Sequence, residues 1–75
     1  MITSFSHEGS DYTINAQNIT YVEITLGKEG EEKSVVNINF VSGKERAFGF
    51  ERQAEAKALY EKIHKAMNLN VVTVH

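Results

Sequence analysis

Three histidines, His7, His64 and His75, are the side chains best suited to proton transfer or metal binding near neutral pH. They lie near a first turn, on the polar side of a helical stretch beside Ile63, and at the last position, so they share no motif spacing. His7 is followed by Glu8, which reads as a local hydrogen-bonding pair, because a metal centre would need further ligands that the nearby sequence lacks. The chain has no cysteine, which removes disulfides and thiolate metal sites together. No G-x-S-x-G, H-E-x-x-H, Walker loop or G-x-G-x-x-G occurs, and the glycines fall singly at turns. The expectation is a protein with no catalytic residues, no cofactor and no metal, which by itself is not an enzyme.

Two polar groups remain. Glu29, Glu31 and Glu32, flanked by Lys28 and Lys33, read as a solvated hairpin loop. Tyr21, Asn37, Asn39, Lys44 and Arg46 offer an aromatic ring, two amides and two cations, the elements of a surface for single-stranded nucleic acid. Eight Lys and Arg against ten Asp and Glu give a net charge of −2, which exerts no general pull on phosphates, so nucleic acid is the second reading. Asn18-Ile19-Thr20 fits a glycosylation sequon, but the opening MITSFSHEGSDY has neither the basic start nor the ~7 apolar residues of an export signal. No stretch approaches the ~18 apolar residues of a membrane span, so the expectation is a soluble cytoplasmic protein with no membrane partner.

The elements that carry these residues follow from periodicity. Ile2 to Ser6 and Tyr12 to Asn15 flank the turn Glu8-Gly9-Ser10-Asp11, a first hairpin. Ile19 to Leu26 alternates, with Thr20, Val22, Ile24 and Leu26 on one face and Tyr21, Glu23 and Thr25 on the other. Ser34 to Val41 sets Val36, Ile38 and Phe40 against Asn37 and Asn39, whose face should meet water. After Ser42-Gly43-Lys44, Glu45 to Phe50 puts Arg46, Phe48 and Phe50 on one face. Gly49, opposite, marks a bend or a close approach. From Glu51 the period becomes helical, with a stripe of Ala56, Leu59, Tyr60, Ile63 and Met67 and a stop at Asn68. The fold expected is α+β, a single domain over 1–75, an antiparallel β-meander of about four to five strands packed against one C-terminal amphipathic helix, then a short terminal strand.

That last segment, Leu69-Asn70-Val71-Val72-Thr73-Val74-His75, is too apolar for a solvated tail and reads as a strand that rejoins the sheet or pairs with another copy. A chain of 75 residues buries only ~60% of its unfolded surface, so its core is marginal and oligomerisation is the available supplement. Leu69, Val71, Val72 and Val74 are the candidate oligomer interface.

The stretch from Val35 through Phe40, the Ser42-Gly43 turn, Phe48 and Phe50, and a helix with Ala58, Leu59, Tyr60 and Ile63 resembles the last strands and closing helix of pleckstrin-homology-like domains, in a reduced form. Met1-Ile2, the hairpin before Ile14-Asn15, Ile19 with Val22-Glu23 and the Gly43 turn also resemble small flagellar FlbD-type proteins, which are short meanders ending in a helix. Both imply an architecture of short antiparallel strands closed by a helix, and a fold does not fix a function. The function expected is a protein-interaction or assembly module, a homo-oligomer such as a dimer or a binder of another protein, with the nucleic-acid surface as the alternative.

Overall fold

A computed structural model describes residues 2–68. Strands β1 (Ile2–His7) and β2 (Ser10–Asn15) form a hairpin, and a 3-10 turn, Ala16–Asn18, leads into β3 (Ile19–Thr25), β4 (Ser34–Phe40) and β5 (Glu45–Phe50). Helix α1 (Gln53–Asn68) follows. All neighbouring strands are antiparallel, and they divide into a two-stranded sheet, β1-β2, and a three-stranded sheet, β3-β4-β5. The fold is thus α+β, with the helix packed on a sheet. The expected terminal strand, 69–75, lies outside the described residues.

The centre of the core is where the two periodicities meet. Val36 and Ile38 from β4, Phe48 from β5, and Ala56, Leu59, Ile63 and Ala66 from α1 are buried together. The helical stripe predicted from Ala56, Leu59 and Ile63 is therefore the packed face, while Tyr60 and Met67 are half-buried at its margin. Burying each large side chain of this set contributes roughly 1.5–3 kcal/mol.

Two strand faces differ from expectation. The alternation that placed Thr20 with Val22 and Ile24 is broken by a bulge between Ile19 and Tyr21, where β3 spends two steps against one step of β4. Ile19 is buried as a result and Thr20 is exposed, while Leu26 lies beyond the strand end and is 47% exposed. The face of Asn37 and Asn39 is not fully open to water either. Both are half-buried at the centre of the sheet, flanked by Glu23 with Ala47 and by Tyr21 with Glu45. Asn37 Oδ1 and Asn39 Nδ2 are buried without a hydrogen-bond partner among the described residues.

The charged β3–β4 loop is tethered rather than merely solvated. Within it Gly27 is buried; its N–H donates to the buried Ser34 Oγ (2.8 Å) and its carbonyl accepts from Gln53 Nε2 (2.8 Å). A Cβ on Gly27 would overlap the Lys33 carbonyl oxygen and lie 2.8 Å from that of Glu32, so only glycine fits. The helix begins at Gln53 and not at Glu51, and Glu51-Arg52 supplies no short capping side chain. Glu29 does so from the loop, its Oε1 accepting the Gln53 N–H at 2.7 Å.

Candidate interaction surface

The β1-β2 hairpin is closed by Glu8 and Gly9, with φ of +49° and +82°. Two consecutive positive φ values match the right-handed twist of the strands, but the first falls on a residue with a Cβ and costs ~1–2 kcal/mol. The turn fixes the register, Phe5 opposite Tyr12 and Thr3 opposite Ile14, and so gathers Thr3, Phe5, His7, Tyr12 and Ile14 on the face towards the core. On the other face, exposed side chains pair across the strands, the Ser4 hydroxyl with that of Thr13 and the Ser6 hydroxyl donating to the Asp11 carboxylate.

The hairpin docks on β5 through rings. Phe5 stacks on Tyr12 (5.3 Å between centroids), and both meet the edge of Phe48, at 5.2 and 5.0 Å. His7 meets Phe48 and Phe50 edge-on, at 5.2 and 4.9 Å. Such pairs contribute about 0.5–1.5 kcal/mol each beyond area burial. His7 also donates from Nε2 to the Gly49 carbonyl at 2.8 Å, which fixes the hydrogen on that nitrogen. In that tautomer Nδ1 is bare, so the Glu8 carboxylate 3.6 Å away is an ion-pair partner only for the doubly protonated ring. His7 is therefore a latch between the two sheets. Neither a bend at Gly49 nor a local His7-Glu8 pair points to this contact, because the two partners are 42 positions apart in the chain.

Beside the latch a groove of about 280 Å³ runs between β1 and α1, floored by Phe5, Phe50, Ala58 and Leu59, with Glu55 and Lys62 at its rim. A second depression of about 240 Å³ continues it past Ser6 and His7 towards Glu8, Lys33 and Glu51.

The predicted polar surface does not assemble. Tyr21 and Asn39 are cross-strand partners, and Asn37 stands beside them on the outer face of the three-stranded sheet. Arg46 is opposite Ile38, on the inner side, where its guanidinium lies 5.4 Å from the Tyr12 ring centre and 5.6 Å from that of Phe48. Lys44 lies in the exposed turn before β5, where its carbonyl accepts the Phe40 N–H. The Arg46 guanidinium is thus separated from Tyr21 and the amides by the thickness of the sheet.

No protein-family model, curated protein or solved structure matches the chain. The site is therefore read from its geometry alone. Among the described residues no three His, Asp or Glu side chains gather as a metal centre, and no helix is long and apolar enough to cross a membrane. His64 is exposed and stacks on Tyr60 at 5.8 Å. The candidate oligomer residues Leu69, Val71, Val72 and Val74 lie outside the described residues. Phe5, Phe50, Ala58 and Leu59 were not singled out as a site from the sequence; each read as an ordinary core or helix position, and only the hairpin's docking brings them to one groove.

Proposed function

We propose that the chain is a small cytoplasmic protein-interaction module that assembles with copies of itself, using an open strand edge and the apolar terminal segment with Leu69, Val71, Val72 and Val74. The observation that carries this reading is the division of the five strands among the described residues into two small sheets, which leaves β1, β2, β3 and β5 as edge strands there, beside a small core. Open edges invite further strands, and an uncharged β-branched segment is the material that joins them. β5 is closed at Gly49 by the His7 latch and β3 is interrupted by its bulge, so these two edges are the less receptive. Kinship with reduced pleckstrin-homology-like domains or small FlbD-type flagellar proteins belongs to the same proposal and is not needed for it. Nucleic acid is the weaker reading, since Arg46 is on the other side of the sheet from Tyr21, Asn37 and Asn39.

Light scattering coupled to size exclusion, on the chain with and without residues 69–75, tests the proposal. A dimer or larger species that is lost with the segment is expected. A monomer at every concentration in both forms contradicts it.

A further inference from the structure

We infer that the groove between β1 and α1 receives residues 69–75 of a second copy of the chain, which rests on the assembly reading above and names its receiving site. The first reason is the direction of the β1 backbone. A two-residue turn makes His7 and Ser10 the hydrogen-bonded closing pair, and alternation then pairs Phe5 with Tyr12 and Thr3 with Ile14 in the same way. The N–H and C=O of Ser4 and Ser6 point away from β2. Helix α1 touches β1 and Ser6 lines the groove, so this edge, unpaired among the described residues, borders the groove. An added strand would find main-chain partners at Ser4 and Ser6 and, beneath them, an apolar floor for alternate side chains.

The second reason is the match of occupant to site. The floor is Phe5, Phe50, Ala58 and Leu59, and 69–74, Leu-Asn-Val-Val-Thr-Val, carries no charge and three β-branched valines. The third is reach. Asn68 is nine residues beyond Leu59, about 14 Å along the helix axis, while seven extended residues span at most ~23–25 Å. A chain's own segment would use more than half its length returning to the level of Leu59, leaving about three residues to lie along the floor. The segment of a second copy is not bound by that return and can lay its whole length against Phe5, Phe50, Ala58 and Leu59. Reciprocal exchange is self-complementary and closes as a dimer.

The absence of cysteine makes the test clean. Ala58 is exposed in the groove, so Ala58→Cys leaves the core intact. When Ala58→Cys chains are mixed with Val72→Cys chains under mild oxidation, a disulfide-linked heterodimer is expected, roughly tenfold above the homodimers of either alone, because docking raises the effective thiol concentration. An internal disulfide in the double variant, migrating as a monomer, would overturn the inference in favour of a segment folding on its own groove. No cross-link in either format would also overturn it. The solution masses of the unsubstituted chain and of Val72→Asp/Val74→Asp separate the two levels. A dimer that these aspartates dissociate, without the cross-link, leaves assembly standing and removes the groove, whereas a monomer throughout removes both.

Discussion

The helix-covered sheet and the hairpin docked beside it are held by different forces. In the first, Val36, Ile38, Ala56 and Ile63 are fully buried aliphatic groups on elements with regular periodicity. In the second, Thr3 is the buried residue of the two strands, and the contact surface is half-buried rings held edge-on, one His7 hydrogen bond and an exposed Arg46 to Tyr12 contact of 3.4 Å. Aliphatic burial is non-directional and cooperative, while ring edges and a single carbonyl latch fix an orientation and leave space beside them. The open groove lies on the hairpin's side of the molecule for that reason.

That contrast is open to breakage at each end. Truncating the shared keystone should cost most: Phe48→Ala removes a ring touched by Phe5, Tyr12 and His7 and is expected to lose about 3–5 kcal/mol, enough to unfold a marginal domain, as read by urea denaturation. Ser34→Ala strips the buried acceptor from the Gly27 N–H and should cost ~1–3 kcal/mol while leaving the hairpin docked. His7→Ala should cost a similar ~1–3 kcal/mol, but its signature is regional. Hairpin amides should exchange faster while those of β4 and α1 lose only what the global loss dictates. Glu8→Asn puts a residue tolerant of positive φ in the turn and should stabilise by about 1 kcal/mol, raising the melting temperature by ~4–8 °C.

Much of the architecture was legible because each element obeys its own period. Val36 and Ile38 in β4, and Ala56, Leu59 and Ile63 in α1, declare their buried faces locally. What stayed hidden depends on pairing between distant positions. The bulge that turns Thr20 outward is a property of β3 against β4, not of β3 alone. The cap of α1 comes from Glu29, 24 positions before Gln53, so the absence of a capping residue near Glu51 gave no warning of it. Asn37 and Asn39 alternate as a water-facing pair should, yet the central position of β4 shields one amide atom of each. The site was least legible of all. Periodicity identifies Phe5, Phe50 and Leu59 as apolar, and only the docking of the hairpin leaves them lining space rather than filling it.

Amide hydrogen exchange on the intact chain, followed residue by residue across a concentration series, tests the central claim most directly. Ser4 and Ser6, whose N–H groups point away from β2, should exchange quickly when dilute and become protected as concentration rises, while Val36 and Ile38 are protected throughout. Rapid exchange of Ser4 and Ser6 at every concentration would mean that no strand is added to β1, and the assembly account in this form would fail.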